Sequence, residues 1–180
     1  MSASAVAKNY AEVLLQLAQE AGELDGFGDF IEATALAVQS SPQAMAALMS
    51  PKVPKGMKAE ILGNALSQVG APRPFVLFLR AIVRRGRQGQ LDSIAVAYRE
   101  LVDQKLNRVR ASVTVARVPD EALKESIRAA LSKLLSKDVI TQFQVDPDIL
   151  GGAVIRVGDR IYDGSARRRL LRLRRHLLSS

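Results

Sequence analysis

The sequence of 180 residues contains no cysteine, no tryptophan and a single histidine, His176. Without cysteine the chain forms no disulfide and has no thiolate nucleophile, and one histidine does not supply the ligands of the common zinc sites. Aromatic residues make up only 4% of the chain, whereas 48% of the residues are hydrophobic. This composition is typical of a helix-rich globular protein and excludes most cysteine- and histidine-dependent enzymes.

Long hydrophobic runs are also missing. No stretch approaches the roughly 18 consecutive apolar residues of a membrane-spanning helix, and residues 1–10 lack the apolar core of a signal peptide. We therefore expect a protein on the cytoplasmic side that associates with a membrane only through a partner.

Charge is distributed unevenly along the chain, whose net charge is +8. Residues 1–105 hold 11 basic and 10 acidic residues, and residues 106–180 hold 15 and 8, so the two parts carry +1 and +7. Six arginines fall within residues 167–175. Such polarity favours different partners for the two ends of the chain.

Apolar residues at helical spacing predict six helices in residues 1–105. Ser41 followed by Pro42 is typical of a helix start, as are Pro54 and either Pro72 or Pro74 for the next two helices. The predicted core face of the first helix consists of Val6, Tyr10, Val13, Leu14, Leu17 and Ala21.

The periodicity changes to two residues at 108–115, which predicts a half-buried strand. A helix from about Asp120 to Ser136, a further strand and a β-hairpin turning at Gly158 and Asp159 follow. The fold class is therefore mainly α: a six-helix bundle over residues 1–105, then a small α+β domain over residues 106–180 with a β-hairpin and a terminal amphipathic helix.

The glycine-containing segment around Gly151 and Gly152 has neither of the common nucleotide-binding spacings, so we interpret both glycines as turn residues. Gly158 and Asp159 are assigned to the hairpin turn. Asp163 and Ser165 are expected to cap the terminal helix rather than to act as an acid or base.

The arginine run admits two interpretations. Helical geometry places Arg168, Arg172 and Arg175 opposite an arc of leucines, which indicates an amphipathic packing helix, while Arg174 projects into that arc and needs an acidic partner. The alternative is a nucleic-acid-binding protein, although few aromatic residues are available for base stacking.

Two predicted helices carry apolar residues outside their core face. In the first helix these are Ala7, Ala11, Leu15 and Ala18, and in the fifth they are Leu77 and Ala81. Either neighbouring helices bury them, or they line a groove that receives an amphipathic helix of a partner.

The chain resembles the delta subunit of bacterial F-type ATP synthases, the counterpart of the mitochondrial oligomycin-sensitivity-conferring protein (OSCP). The resemblance runs nearly end to end and is carried by Tyr10 and Ala11, by Gly86 and Arg87, by VDPDILGG at 145–152, and by the hairpin ending in Asp163, Gly164 and Ser165. Two departures are Glu12, where a basic residue is frequent, and Arg85, where an asparagine is common.

The resemblance implies a non-catalytic stator subunit that links the catalytic head to the peripheral stalk, so that proton-driven rotation is coupled to ATP synthesis. It implies that residues 1–105 bind the N-terminal helix of an alpha subunit between helices one and five, and that residues 106–180 bind the b subunits. It implies no cofactor, metal, small-molecule ligand or nucleic acid, and a peripheral location at the cytoplasmic face of the bacterial plasma membrane. We expect the groove for the alpha subunit to comprise Ala7, Tyr10, Ala11, Leu15, Leu77, Phe78 and Ala81, and the stalk-binding candidates to be Arg168, Arg172, Arg174 and Arg175.

Overall fold

The computed structural model describes residues 5–168 and residue 170. The chain falls into two compact units that divide between Val102 and Asp103. Each unit has its own hydrophobic core. Most of the predicted terminal helix, including Arg172, Arg174, Arg175 and His176, lies outside the described residues.

Six α-helices and one short 3₁₀ helix make up the described part of the first unit, as the hydrophobic periodicity predicted for the α-helices, although the last of them continues past the boundary at Val102. Their bounds are α1 Ala5–Ala21, α2 Leu24–Ser40, α3 Pro42–Met49, α4 Lys55–Gln68, α5 Arg73–Arg84, the 3₁₀ helix Gln88–Gln90 and α6 Leu91–Lys105.

Local sequence sets the ends of these helices. The Ser41 hydroxyl accepts a hydrogen bond from the Ala44 amide at 3.2 Å, and Pro42 occupies the first helical position, where its missing N–H costs nothing. The predicted cap at Ser41 is confirmed.

The predicted core face of α1 is confirmed only in part, because Leu14 is buried and Tyr10 and Leu17 pack against the core, whereas Val13 and Ala21 are exposed. The structure buries Ala7, Ala11, Leu14 and Ala18 completely, whereas Val13 is 48% exposed. At about 100° per residue these four buried positions share an arc of about 60°, and Val6, Tyr10, Val13 and Leu17 share an equally narrow arc about 100° away. The sequence offers two parallel stripes, and the bundle buries the one with small side chains because they allow neighbouring helices to approach closely.

Two consecutive residues of α6 attach it to α2. The Tyr98 hydroxyl donates to the Leu24 carbonyl oxygen at 2.7 Å. The Arg99 guanidinium donates to Glu32 Oε1 and to Asp29 Oδ1, both at 2.5 Å, and lies 3.8 Å from Asp25 Oδ1. These contacts join segments about seventy residues apart in sequence and close the bundle.

The second unit is a four-stranded mixed sheet with one helix in its described part. Its elements are β1 Arg108–Val115, α7 Glu121–Leu135, β2 Asp138–Val145, a 3₁₀ helix Pro147–Ile149, β3 Ala153–Val157 and β4 Arg160–Asp163. The strand order is β2-β1-β3-β4, with β1 and β2 parallel and the other two pairs antiparallel. The predicted hairpin is confirmed as β3 and β4.

The core of this unit lies between the sheet and α7. Alternate residues of β1, namely Ala111, Val113 and Val115, are buried together with Leu131 of α7 and Val139 of β2. Because α7 connects two parallel neighbouring strands, it crosses one face of the sheet and covers it.

Within the described residues, the helices are too short or too polar to span a lipid bilayer.

The pH dependence of stability tests the contact between α2 and α6. Tyr98 is fully buried, and this burial raises its pKa from 10.0 to about 12. The neutral phenol therefore stabilises the fold fully below pH 10, and this contribution is lost as the pH rises through about 12. Tyr98→Phe should lower the unfolding free energy by about 1 kcal/mol at neutral pH. As the pH rises from 10.0 through about 12, the unfolding free energy of the variant should fall less than that of wild type.

Urea unfolding of both proteins from neutral pH through this alkaline window measures the difference. A parallel alkaline decline of wild type and variant would show that Tyr98 does not titrate with folding.

Candidate functional site

The contact between α1 and α5 forms the candidate partner-binding surface. The rings of Tyr10 and Phe78 meet edge to face, with centroids 6.4 Å apart and an interplanar angle of 71°. Phe78 is 6% exposed, whereas Tyr10 is half-buried. This aromatic pair joins the two helices, and part of Tyr10 is accessible to solvent.

Both helices that carry the Tyr10–Phe78 pair also have exposed apolar residues. Leu77 is 53% exposed and Ala81, one turn further along α5, is also exposed. On α1, Val13 falls in the same narrow arc as Tyr10. The structure thus joins Tyr10 to Phe78 and leaves Val13 of α1 and Leu77 and Ala81 of α5 exposed. Leu77 also borders a pocket lined by Ser67 and Ala71.

Three other predicted groove residues have different positions. Ala7 and Ala11 are 0% exposed and belong to the bundle core, so they support the surface from behind and do not line it. Leu15 is half-buried against the core, about 140° around α1 from Tyr10 if each residue turns about 100°. Leu15 therefore lies on a different side of α1 from the residue that contacts α5.

The hairpin and the start of the terminal helix form a compact cap in the second unit. Asp163 Oδ1 accepts from the Ser165 amide at 3.0 Å, and the Ser165 hydroxyl accepts from the Arg168 amide at 3.2 Å. The Ala166 amide donates to the Gly151 carbonyl oxygen at 2.9 Å. These bonds assign Asp163, Ser165 and Gly151 to a structural turn.

Gly152 and Gly158 both adopt left-handed backbone in this region. Gly152 has φ +77° and Gly158 has φ +55°. A Cβ at Gly152 would lie 2.5 Å from the Gly164 carbonyl oxygen, whereas a Cβ at Gly158, beside Asp159 in the hairpin turn, would have no neighbour within 4 Å. Gly152 therefore permits the close approach of the two chain segments that form the cap.

Arg168 is the one stalk-binding candidate whose surroundings are described. Its side chain is 56% exposed, and the guanidinium lies 3.7 Å from Asp163 Oδ2. An ion pair of this length and exposure contributes little to stability, so the guanidinium is available to a stronger acidic partner.

Sequence reasoning missed Val13 and the acidic cluster around Arg99. The hydrophobicity of its stripe predicts a core position for Val13, and nothing in the sequence favours the alanine stripe over it. Asp25, Asp29 and Glu32 lie at intervals of four and three residues, which is the signal of a single helical face. Hydrogen bonding to Glu32 raises the pKa of Arg99. Burial opposes this shift, and hydrogen bonding to Asp29 adds to it. A raised pKa is expected for an arginine in a structural ion-pair cluster.

The acidic residues do not assemble a metal centre in the described part of the chain. Over residues 5–168 and 170, no three His, Cys, Asp or Glu side chains converge into a possible metal site.

Comparisons of the sequence with known proteins all indicate the same family. The profile of the family described as ATP synthase delta (OSCP) subunit matches residues 6–177. The ATP synthase subunit delta of Gemmatimonas aurantiaca is 40% identical over 172 residues, which cover 96% of this chain and 92% of that protein. The ATP synthase subunits delta of Anaeromyxobacter dehalogenans and Geobacter metallireducens are 33% and 32% identical, covering 98% and 96% of this chain, and 99% and 96% of those proteins.

The fold is also similar to that of a solved structure. A chain in the cryo-EM structure of the Toxoplasma gondii mitochondrial ATP synthase hexamer aligns with a TM-score of 0.66 and 19% sequence identity, covering 97% of this chain and 98% of that chain. At this identity the likeness concerns the fold alone.

Substitution of two glycines tests the cap. Gly152→Ala combines a left-handed backbone with a clash against a carbonyl oxygen and should lower the unfolding free energy by about 3 kcal/mol. Gly158→Ala, the matched control, has the backbone strain without the clash and should cost about 1 kcal/mol. Chemical denaturation monitored by circular dichroism measures both values, and equal losses would mean that the segments do not pack closely at Gly152.

Proposed function

The chain belongs to the ATP synthase delta (OSCP) subunit family and is thus a non-catalytic stator component of the F-type ATP synthase, in which we propose that its two units hold different partners. The helical unit binds the N-terminal helix of an alpha subunit of the catalytic head. The second unit binds the b subunits of the peripheral stalk. By joining head to stalk, the protein couples proton-driven rotation to ATP synthesis at the cytoplasmic face of the bacterial plasma membrane.

The apolar surface between α1 and α5 is the observation that supports the contact with the alpha subunit. Tyr10 and Phe78 join α1 to α5, and these two helices expose Val13, Leu77 and Ala81. An amphipathic helix laid along this surface would bury these side chains and the accessible part of Tyr10. Buried aromatic and aliphatic anchors favour slow dissociation, which a contact under rotor torque requires.

The basic C-terminal region supports the stalk contact. Arg168 is more than half exposed, and its ion pair with Asp163 spans 3.7 Å. Together with Arg172, Arg174 and Arg175 it gives the end of the chain a concentrated positive charge, which attracts an acidic segment. The family match extends through residue 177, so the arginine run falls inside the matched region and the nucleic-acid interpretation has no separate support.

The orientation of α1 generates a prediction about how the alpha subunit binds. Val13→Asp places a charge on the proposed surface and should weaken binding of a peptide copying the alpha-subunit N-terminus at least tenfold, because the carboxylate would be desolvated without a partner. Val13 is already 48% exposed, so the bundle should fold normally. Isothermal titration calorimetry of the full-length protein with the peptide measures the affinity.

Val96→Asp is the matched control for this experiment. Val96 is a valine of α6 with 46% exposure, so it carries the same substitution at nearly the same exposure outside the α1–α5 surface. Its affinity for the peptide should equal that of wild type. If both variants weaken peptide binding equally, or if neither weakens it, the α1–α5 surface is not the binding site.

Salt dependence tests the stalk contact. Binding of a peptide copying the C-terminal end of a b subunit should weaken severalfold between low and physiological ionic strength, because exposed charges are screened over about 8–10 Å. Arg168→Gln should reduce the slope of this dependence, whereas Arg117→Gln, at an exposed arginine outside the basic end, should not. Salt-independent binding, or equal effects of the two variants, would contradict the role of the basic end.

A further inference from the structure

A second apolar surface lies on the helical unit, away from the contact between α1 and α5. It is a groove between α2, α3 and α4 with a volume of about 600 Å³, which is within the range of about 300–1,000 Å³ typical of small-molecule sites. Apart from Thr34 and Lys58, the described residues lining it are apolar. The groove therefore has the composition of a ligand site with very few polar groups.

The α4 wall of the groove has apolar residues that are exposed to solvent in the described part of the structure. Ile61 is 63% exposed, and Val69, directly after the helix, is 69% exposed. With Ala65 they follow a spacing of four residues and form one stripe along the helix. Leu66 is buried in the core. The segment thus has apolar side chains both in the core and at the groove surface.

Small residues form much of the opposite walls. Ala33 and Ala37 of α2 and Ala44 and Ala47 of α3 line the groove. Methyl side chains leave the space between the helices open, where leucine or methionine would fill it.

Lys58 is the unusual polar residue of the groove. It is 6% exposed, and its ammonium donates to the Ser50 carbonyl oxygen at 2.6 Å. A buried ammonium normally pairs with a carboxylate, because burial of a lone charge is costly. Among the described residues, no carboxylate forms an ion pair with Lys58. Since an ammonium has three N–H donors, two remain for an acceptor supplied from outside the bundle.

Thr34, the other polar residue that lines the groove, offers a ligand no comparable hydrogen-bond donor. Its hydroxyl already donates to the Phe30 carbonyl oxygen at 2.7 Å. Among the described lining residues, polar recognition therefore depends on one positive charge in the first turn of α4.

We propose that this groove binds an aliphatic amphiphile with a single carboxylate, such as a medium-chain fatty acid anion of the length of dodecanoate. The carboxylate accepts hydrogen bonds from the Lys58 ammonium, and the alkyl chain runs along Ile61, Ala65 and Val69. The opposite charges offset the burial of Lys58, and the chain covers the exposed apolar stripe of α4.

The length of the groove favours an alkyl chain over a helix as the occupant. Lys58 and Val69 are 11 residues apart in sequence, or about 16 Å along the helix axis. The α3 wall has eight residues, or about 12 Å. An amphipathic helix of the usual 12–15 residues needs about 20 Å, whereas a single extended alkyl chain fits within the available length.

This site is separate from the contacts proposed above for the partners in the complex. It uses α2, α3 and α4, whereas the surface proposed for the alpha subunit uses α1 and α5. The family resemblance implies no small-molecule ligand, so the groove adds a property to this chain. If the groove does not bind the proposed ligand, the assignment of the chain as a stator subunit is unaffected.

Three probes with the same alkyl chain and different head groups test the proposal on the full-length protein. They are dodecanoate, dodecanol and dodecyltrimethylammonium, each titrated below its micelle concentration or solubility limit. We expect dodecanoate to bind one to one and about tenfold or more tighter than the other two, because only it accepts charge-assisted hydrogen bonds from Lys58. Nuclear magnetic resonance shifts at the methyl groups of Ile61, Ala65 and Val69 should locate the chain.

Matched lysine variants then isolate the head-group contact. Lys58→Met should weaken dodecanoate binding about tenfold and leave dodecanol binding within a factor of about two. Lys55→Met is the control, since Lys55 is an exposed lysine three residues earlier that does not line the groove, and its dodecanoate affinity should match wild type. Far-ultraviolet circular dichroism establishes that each variant is folded.

Ile61→Glu provides an independent test should Lys58→Met fail to fold. Ile61 is largely exposed, so this substitution should leave the fold intact while it repels dodecanoate and obstructs the alkyl chain. Equal affinity of wild type for all three probes, unchanged dodecanoate binding by a folded Lys58→Met, or unchanged binding by Ile61→Glu would each overturn the proposal. Absence of saturable dodecanoate binding would also overturn it.

Discussion

The helical unit depends on the attachment of α6 to α2. Tyr98 and Arg99 are adjacent in sequence, yet one uses a buried hydroxyl and the other a charged group at the edge of the core. The Arg99 guanidinium lies close over Gly28, where a Cβ would be 2.6 Å from it and would require the guanidinium to shift. The last helix of the unit is thereby tied to the second. A second arginine, Arg80 of α5, lies across Gly63 of α4 in the same manner, so both contacts use the space left by a missing side chain.

The second unit is organised around β1, which lies between β2 and β3 in the sheet. The strand begins shortly after α6, and Asp103 near the end of that helix accepts from Arg108 and Arg110, with 2.8 Å to the Nε of each. One carboxylate of the second unit therefore holds two arginines of its first strand. Arg108 and Asp103 are mostly buried in this contact, which makes it stronger than an exposed ion pair.

The two apolar surfaces of the helical unit differ in a way that suits different occupants. The surface proposed on α1 and α5 includes an aromatic pair, and both helices have exposed aliphatic residues, which suits a helix as the proposed occupant. The α2–α3–α4 groove is short, walled by alanines and polarised by a buried lysine, which suits a slender anionic molecule. A stator must hold its partners under torque, and large aliphatic and aromatic anchors at the first surface meet that demand better than the single charge in the second.

The sequence by itself determined the class and order of the elements. Ser41 with Pro42, the alternation in residues 108–115 and the Gly158 turn are local signals, and each acts through hydrogen bonds or backbone preferences within a few residues. It could not decide the orientation of α1, because the stripe of Val6, Tyr10, Val13 and Leu17 and the stripe of Ala7, Ala11, Leu14 and Ala18 have the same helical spacing. Only the tertiary structure selects the second stripe, since the distance between packed helices favours small side chains and that distance is set by residues far away in sequence. The same holds for the buried ammonium of Lys58, whose burial arises from three helices that meet around it.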